Sequence, residues 1–348
     1  MRYDIRELLL DAFAHKASDL HITVNSPPYY RVNGELVPYS QVPVTEEDTE
    51  QMAKILLRDE TKWQEFLEKK EIDFSYQVDN AARFRLNVFF QRDAISIVAR
   101  VIASDIPTLD QLQMPPIIKK MVSKPQGLIL VTGPTGSGKS TTLAAMIDYV
   151  NRTQAKHIIT LEDPIEYVHE NHRSIINQRE VGSDTNNFAN GLRAALRQDP
   201  DIILLGEMRD LETIATAITA AETGHLVLAT LHTSSAPLTI ERIIDVFPAE
   251  QQAQIRTQLA SVLEGIISQR LFPRMDGQGR IAATEILVNH PSVANLIRNE
   301  KIHQIKNVMQ TGRSLGMHTL EMSIQSLLSQ GIISSEHATP YLMNVGEV

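Results

Sequence analysis

Nine consecutive residues have the types and spacing of a loop that binds phosphate. They are Gly133, Pro134, Thr135, Gly136, Ser137, Gly138, Lys139, Ser140 and Thr141, which match the pattern G-x-x-x-x-G-K-[ST] at every position. The glycines let backbone N–H groups turn towards phosphate oxygens, and the positive end of a following helix favours the same anion. In such loops the lysine reaches the β- and γ-phosphates, and the serine hydroxyl binds Mg²⁺. The pattern therefore predicts a site for a nucleoside triphosphate and Mg²⁺, with Lys139 and Ser140 in these roles.

A carboxylate follows an apolar run further along the chain. Glu207 comes directly after residues 201–206, which are mostly apolar and typical of a short buried strand. Because functional groups gather at the carboxyl ends of parallel strands, we expect Glu207 beside the phosphates, where it can polarise the attacking water. Many phosphate-loop enzymes carry an Asp that helps to position Mg²⁺ where this chain has Gly206. Another carboxylate is therefore expected to help hold the metal.

A group of acidic residues after another apolar run supplies that carboxylate. Glu162, Asp163 and Glu166 lie within five residues of one another. Three acids beside a phosphate ligand are favourable only if a cation lies between them, whereas on its own this stretch is typical of a solvated acidic turn. Together with the phosphate loop, the residues predict a metal site formed by Ser140, Glu162, Asp163 and Glu166. Glu166 is also the second candidate for the catalytic carboxylate, after Glu207.

Two histidines flank the apolar run Leu226–Thr230. His225 and His232 are seven residues apart, so they point to opposite faces of a strand and make a poor metal-binding pair. His232 lies just past the carboxyl end of the run, where it can contact phosphate or respond to its loss. A purely structural role stays open for either histidine.

Composition limits the classes of function. The chain has 348 residues, a hydrophobic content of 43%, no cysteine and a net charge of -9. The lack of cysteine excludes disulfides, cysteine-bound zinc and a cysteine nucleophile, and the negative charge argues against a general affinity for nucleic acid. No apolar run approaches the roughly 20 residues of a membrane span, so we expect a cytoplasmic protein without membrane insertion. Acidic residues interrupt the apolar N-terminal run, which predicts an amphipathic helix with these residues on one face: Ile5, Leu8, Leu9, Ala12 and Phe13.

Residues 1–102 have the pattern of a small α+β domain. Asn33-Gly34 lies between two short β-prone runs and predicts a hairpin. Thr45 and Asp48 have the spacing of a capping box at the start of a helix. Between residues 72 and 101 apolar and polar residues alternate, which predicts strands with one apolar face. The alternating residues are Phe84, Leu86 and Val88 on one face and Arg83, Arg85 and Asn87 on the other.

The remaining chain divides into three further regions. Residues 103–126 contain four prolines and are predicted to be a linker. Residues 127–290 alternate short apolar strands with helices, which favours an α/β domain with a mostly parallel sheet covered on both faces. Residues 291–348 have helical spacing of their apolar positions. The predicted strands of the α/β domain are Gly127–Val131, His157–Leu161, Asp201–Leu205 and Leu226–Thr230.

The order of these motifs resembles that of the type II/IV secretion ATPases, and within them the retraction ATPases of type IV pili. The phosphate loop is followed by an acidic box, a strand ending in Gly-Glu-Met-Arg-Asp and a histidine box. The lack of cysteine argues against the pilus-assembly ATPases, which carry a tetracysteine zinc site. The resemblance extends nearly from end to end and includes the segments Ala17–His21, Glu162–Glu166, Asn177–Gly182, Gly206–Asp210, His225–Thr233 and Met317–Leu320.

The resemblance implies a fold, an assembly and an activity. It implies an N-terminal PAS-like domain (1–102), a RecA-like P-loop NTPase core (127–290) and a helical C-terminal region (291–348). It further implies a homohexamer that hydrolyses ATP with Mg²⁺ and drives pilin disassembly and twitching motility. The ring would lie at the inner face of the cytoplasmic membrane on a PilC-like platform protein. In this family arginines of the N-terminal domain approach the phosphates, and Arg83, Arg85 and Arg100 are the candidates; a solvated strand face is the alternative for each of them.

A C-terminal motif departs from the family pattern. Retraction ATPases carry Ala-Ile-Arg-Asn-Leu-Ile-Arg-Glu, whereas residues 292–300 of this chain read Ser-Val-Ala-Asn-Leu-Ile-Arg-Asn-Glu. Ala294 replaces the first arginine, and the final acid, Glu300, comes one residue late. The departure leaves open an accessory paralogue of the retraction ATPase.

Two other functions are compatible with a RecA-like core. A nucleic-acid translocase would need a basic groove or stacking aromatic residues, but the chain is acidic and only 5% aromatic. A scaffold that binds ATP without turnover would lack the catalytic acid, whereas Glu207 is present. The sequence itself contains no motif that distinguishes ATP from GTP.

Overall fold

A computed structural model describes residues 2–32, 35–78, 82–102 and 105–342. The chain divides into two compact units, Met1–Asp105 and Ile106–Val348. The boundary between them falls close to the predicted end of the N-terminal domain. Within the described residues, no helix has both the length and the apolar character that a membrane span requires.

The first unit is the PAS-like α+β domain. Its described residues form a six-stranded antiparallel sheet in the order β3-β2-β1-β6-β5-β4. Helices α1–α3 and one sheet face enclose its apolar core. The strands are β1 (Asp19–Ile22), β2 (Tyr29–Val32), β3 (Glu35–Pro38), β4 (Glu71–Val78), β5 (Ala82–Gln91) and β6 (Ala94–Ile102). The helices are α1 (Ile5–Ala14), α2 (Glu46–Leu57) and α3 (Glu60–Lys69).

Local sequence signals set several of these elements. The amphipathic helix at the N-terminus is confirmed, and its predicted apolar residues face the core. The capping box is also confirmed, because Thr45 Oγ1 accepts a hydrogen bond from the Asp48 backbone N–H and the Asp48 carboxylate accepts one from the Thr45 N–H. Strands β2 and β3 pair as the predicted hairpin requires; the turn residues Asn33 and Gly34 lie outside the described part of the chain.

The second unit is the RecA-like domain. Within its described residues a seven-stranded sheet has the order β13-β12-β7-β11-β10-β8-β9, and only the pair β12–β13 is antiparallel. Each predicted apolar strand is present within one residue at either end. The strands are β7 (Gly127–Thr132), β8 (His157–Glu162), β9 (Ile175–Glu180), β10 (Ile202–Leu205), β11 (Leu226–Leu231), β12 (Leu263–Pro273) and β13 (Arg280–Val288).

Helices cover both faces of this sheet. Alternate residues of the central strands point to opposite faces, and each face is packed into its own apolar core. Short 3₁₀ helices at Ile302–Gln304 and Arg313–Leu315 separate the last α-helices. The α-helices are α4 (Ile117–Val122), α5 (Lys139–Thr153), α6 (Phe188–Ala195), α7 (Leu211–Glu222), α8 (Ala236–Asp245), α9 (Ala249–Val262), α10 (Pro291–Arg298), α11 (Ile305–Thr311), α12 (Leu320–Ser329) and α13 (Ser335–Leu342).

The prediction of a linker over residues 103–126 was largely wrong. Residues from Ile106 onwards belong to the second unit, and they include helix α4. Their apolar side chains are buried against the sheet, so the prolines bend a packed segment. Proline spacing alone did not reveal this packing. The buried residues of this segment are Leu109, Met114, Ile118, Met121 and Val122.

Candidate functional site

The phosphate loop joins the end of β7 to the start of α5. Gly133, Gly136 and Gly138 all have a positive φ, at 142°, 78° and 89°. A Cβ atom at Gly133 would lie 2.4 Å from the carbonyl oxygen of Gln269, which no side chain allows. At Gly136 no heavy atom lies within 4 Å of that position, so the loop is open on this side. Conformation therefore favours glycine at all three positions, and space also requires it at Gly133.

A glutamine from the neighbouring strand β12 supports the loop from behind. Gln269 Nε2 donates a hydrogen bond of 2.7 Å to the Ser137 carbonyl. Its Oε1 accepts one of 3.0 Å from the Thr142 hydroxyl. Gln269 is 1% exposed, so these bonds satisfy a buried amide and connect the middle of the loop to the first turn of α5. Sequence analysis did not identify this residue, because no local pattern connects it to the phosphate loop.

Lys139 extends across the loop. Its ammonium group donates to the carbonyl oxygens of Gly133 at 2.9 Å and Pro134 at 3.1 Å. Burial lowers the pKa of Lys139, while the nearby charges of Glu166 and Glu207 act in the opposite direction. The lysine therefore lies within electrostatic reach of the predicted acidic residues.

One cavity of about 400 Å³ brings most of the predicted site residues together. Gly133, Pro134 and Ser137 do not line it, since they form the back of the loop. The open glycine loop, the lysine and a cavity of this size fit the triphosphate of a nucleotide. The predicted residues that line the cavity are Thr135, Gly136, Gly138, Lys139, Ser140, Thr141, Glu162, Asp163, Glu166, Glu207 and His232. Residues that sequence analysis missed also line it, among them Tyr167, His169, Thr230, Leu271 and Arg280.

Glu162 at the end of β8 is held by hydrogen bonds within the protein. Its Oε1 accepts from the Thr160 hydroxyl at 2.6 Å and from Gln178 Nε2 at 3.1 Å. Burial raises the pKa of Glu162. Asp163 and Glu166, by contrast, are exposed and remain available at the cavity wall.

Strand β9 keeps the acidic box in place. Gln178 accepts a hydrogen bond of 2.8 Å from the His169 backbone N–H and donates one of 2.8 Å to the Tyr167 carbonyl. Glu180 accepts one of 3.0 Å from the Ile165 backbone N–H. These contacts explain why the segment Asn177–Gly182 accompanies the acidic box in the sequence: it positions the loop that follows β8.

The predicted three-acid metal cluster is not present as such. Among the described residues, no group of three or more His, Asp or Glu side chains is arranged to hold a metal ion. Glu162 turns instead towards Thr160 and Gln178. Ser140, Asp163 and Glu166 line the cavity as oxygen donors, which is the chemistry that Mg²⁺ prefers when phosphate oxygens complete its shell.

Glu207 lies at the carboxyl end of β10, as predicted, and is 18% exposed. Arg209 Nε lies 2.6 Å from its Oε1, and His232 Nε2 lies 3.4 Å from its Oε2. Gly206 precedes it because a Cβ atom there would lie 3.2 Å from the Leu161 carbonyl and 3.3 Å from the Glu162 Cα. The close approach of β10 to β8 thus leaves little room for the Asp of other phosphate-loop enzymes.

The two histidines occupy opposite ends of β11. His232 contacts Glu207 and lines the cavity. His225 Nδ1 lies 3.0 Å from the Ala220 carbonyl at the end of α7, which is a structural contact. Of the two, only His232 is therefore placed for chemistry.

The predicted arginines lie in the first unit. Arg85 on β5 is the register partner of Arg100 on β6, and Arg83 lies two residues along the same face. Arg100 Nε forms an ion pair of 2.9 Å with Asp19 Oδ1, yet its side chain is 69% exposed. The opposite face carries the apolar core, so the sheet presents its arginines outward.

Comparison with known proteins places the chain in a family. The family model described as "Type II/IV secretion system protein" matches residues 1–339. The type IV pilus retraction ATPase PilT of Pseudomonas aeruginosa is 49% identical over 335 residues, which cover 96% of this chain and 97% of PilT. A twitching motility protein of Neisseria gonorrhoeae is 49% identical over 311 residues, covering 89% and 83% of the two chains.

A solved structure agrees over the same length. The crystal structure of the pilus retraction motor PilT with bound ADP has a TM-score of 0.91 and 47% sequence identity, and the match covers 97% of each chain. That protein binds ADP and carries the same N-terminal and RecA-like architecture. The resemblance found in the motifs is thereby confirmed, and the chain belongs to the type II/IV secretion system protein family.

Proposed function

We propose that this chain is a hexameric ATPase motor that drives the retraction of type IV pili. The observation that carries the proposal is near full-length similarity to PilT combined with one cavity that is lined by both the phosphate-loop lysine and the carboxylate Glu207. Hydrolysis in each subunit would bias one head-to-tail interface of a closed ring, which converts chemical steps into domain motion.

The residues of the cavity have distinct roles in this proposal. Lys139 and the loop N–H groups bind the phosphates, and Ser140 with Asp163 or Glu166 would hold Mg²⁺. Bound Mg²⁺ supplies positive charge that offsets the charge developing on the phosphates. Glu207 accepts a hydrogen bond from the attacking water and orients it. His232, in contact with Glu207, responds to whether the terminal phosphate is present.

A second cavity of about 390 Å³ adjoins the first and suits the nucleoside half of the substrate. Gly138, Thr141, Leu271 and Arg280 line both cavities. Leu112 and Met114, from the segment before α4, add apolar surface to the second one. An apolar wall next to the loop favours stacking of a purine base, and we propose ATP as the substrate because the similar PilT structure contains bound ADP.

The exposed face of α10 is the proposed coupling surface. Ile297 is fully buried in the core, whereas Asn295, Arg298 and Asn299 are exposed. Asn299 Nδ2 donates to the Asn295 carbonyl at 2.9 Å, so these side chains form an ordered polar strip. We propose that this strip transmits ring motion to the PilC-like platform protein at the inner face of the cytoplasmic membrane.

The variant Arg298→Ala tests the coupling role. In the organism that carries this chain, deleting its gene should stop twitching motility, and the intact gene should restore it. The Arg298→Ala gene should not restore motility, although the purified variant keeps its fold, ring assembly and ATPase rate. Arg313→Ala, an exposed arginine of another element of the same region, is the matched control and should restore motility. Normal twitching in the deletion strain would contradict retraction as the function.

The accessory-paralogue alternative rests on the altered C-terminal motif. Ala294 is only 7% exposed, because it lies on the side of α10 that packs into the apolar core of the second unit. An accessory motor of the PilU type would support retraction only beside a second ATPase. Deleting the genes for both ATPases and restoring this chain alone distinguishes the two, because a main motor restores motility without its paralogue.

A nucleic-acid translocase is tested with the same purified ring. If the ring were a nucleic-acid translocase, single-stranded DNA should raise its ATPase rate, because translocases hydrolyse ATP faster when they are bound to nucleic acid. We expect an unchanged rate, since the chain has a net charge of -9.

A further inference from the structure

A buried carboxylate on β13 joins the starts of two helices. Glu285 is 5% exposed, and its Oε1 accepts a hydrogen bond of 2.7 Å from the backbone N–H of Ala236, the first residue of α8. The backbone N–H of Leu320, the first residue of α12, also faces this carboxylate and favours its charged form. Helix starts carry unpaired N–H groups and partial positive charge, so a carboxylate between two of them stabilises both.

On one side, this carboxylate fixes the loop that carries His232. Ala236 lies four residues after His232, and Ala236 is fully buried. A hydrogen bond of 2.6 Å between the Thr233 and Thr239 hydroxyls ties the same loop to α8. The other end of the loop is β11, whose last residue, Leu231, is the register partner of Thr132. The loop that carries His232 is thus fixed at the end of β11 and at the start of α8, and the second of these depends on Glu285.

On the other side, the carboxylate contacts the C-terminal helical region. The backbones of Ile286 and His318 exchange hydrogen bonds of 2.9 and 3.2 Å, which holds the start of α12 beside β13. Lys306 of α11 pairs with Glu321 of α12 at 2.8 Å. The segment Met317–Leu320, which the family resemblance included without a role, therefore forms the second half of this junction.

We propose that Glu285 is a positioning residue for ATP hydrolysis, which holds His232 against Glu207 and links its position to α12. The inference rests on the proposed ATPase function and on the part of His232 in it. Glu285 does not line the nucleotide cavity, so it acts through the loop and not on the substrate. Burial is the main reason that the pKa of Glu285 is raised, and the two N–H donors partly offset it.

A double-mutant cycle on the full-length ring tests this inference. Glu285→Gln keeps the size of the side chain but removes its charge and replaces one carboxylate oxygen by an amide N–H₂ group, so the side chain can no longer present an oxygen to both N–H groups. We expect kcat to fall about tenfold while the KM for ATP changes by less than twofold. In a His232→Ala background the same substitution should change kcat by less than twofold, since the loop no longer carries the group that Glu285 positions.

A second variant and a control complete the test. Ala236→Pro removes the N–H donor at the first position of α8, which tolerates the proline φ, and places a ring carbon where the hydrogen faced Glu285; it should reproduce the loss of kcat if Glu285→Gln does not fold. Glu321→Gln breaks the ion pair with Lys306 but leaves both links of Glu285, and it should keep kcat within twofold. A Glu285→Gln effect of equal size with and without His232 would overturn the inference. An unmodified ring without ATPase activity would overturn the proposed function as well.

Discussion

The two sheets of the molecule place their charged residues in opposite ways. In the first unit, the arginines stand on a strand face, where neighbouring strands align Arg85 with Arg100. In the second unit, the carboxylates stand at strand ends, where Glu162 is the last residue of β8 and Glu207 follows β10. Arg85 and Arg100 are exposed and Arg83 is half-buried, whereas Glu207 is 18% exposed and is contacted by Arg209 and His232.

This difference bears on whether each unit can form a functional site from its own residues. A strand end in a parallel sheet points at the same edge as its neighbours, so topology alone gathers Glu207, Glu166 and Lys139 into one cavity. A strand face presents its charges to whatever lies opposite, and in the first unit the described partner of Arg100 is Asp19 of the same sheet. The carboxylate site is therefore built within one unit, whereas the strand-face arginines line no part of its cavity.

The largest expected effect belongs to the strand-end carboxylate. Glu207→Gln should still bind ATP, but hydrolysis should fall by about two to four orders of magnitude because the water loses its acceptor. Lys139→Ala should instead weaken nucleotide binding. Steady-state ATPase rates and binding of a fluorescent ATP analogue separate the two effects. Retained turnover in Glu207→Gln would move the catalytic role to Glu166.

The arginine face should matter only for turnover. Replacing Arg83, Arg85 and Arg100 together by alanine should lower kcat by about 10²- to 10³-fold if they meet phosphate charge in the assembled ring. The thermal unfolding of the variant should stay close to that of the unmodified protein. Arg92→Gly is a matched control, because this exposed arginine has a φ of 49° that glycine adopts without strain. An unchanged ATPase rate would show that the arginines are surface charges.

A histidine in the cavity wall should make stability depend on pH. Burial lowers the pKa of His169 from its usual value of 6.5 to about 4, and the charge of Asp148 partly offsets this shift. Between pH 4 and pH 6.5, His169 therefore carries a proton in the unfolded chain but not in the native protein. The free energy of unfolding should rise from pH 4 to pH 6.5 by at most about 3 kcal/mol, and this stability should be lost as the pH falls. His169→Gln should flatten the dependence in denaturant titrations, and an equal slope in both proteins would contradict the assignment.

The smallest effect is expected for the ion pair on the arginine face. Asp19→Asn should change the free energy of unfolding by less than about 1 kcal/mol, since Arg100 is mostly exposed to solvent. Chemical denaturation at low and high salt measures this contribution. A loss of several kcal/mol would mean that Arg100 is fixed by its own sheet, which would remove it from the candidates for phosphate contact.

Local patterns in the sequence determined the nucleotide site and the order of the domains. The phosphate loop, the strands around it, the capping box at Thr45 and the position of Glu207 all depend on residues that are close along the chain. Short-range patterns specify such features because backbone conformation and amphipathic spacing are local properties. The family resemblance rested on these same segments, and the comparisons confirmed it over nearly the whole chain.

Tertiary structure alone decided which side chains support the site. Gln269 contacts Ser137 across 132 residues of sequence, and Glu285 contacts Ala236 across 49. Glu162 was predicted to bind metal, but it is held by Thr160 and by Gln178 on the neighbouring strand β9. Within the segment 103–126, which was predicted to be a linker, residues from Ile106 onwards are likewise packed by contacts with residues that are distant in the sequence. Hydrogen-bond partners and apolar contacts between distant segments exist only once the sheet has brought its strands together, so no local pattern contains them.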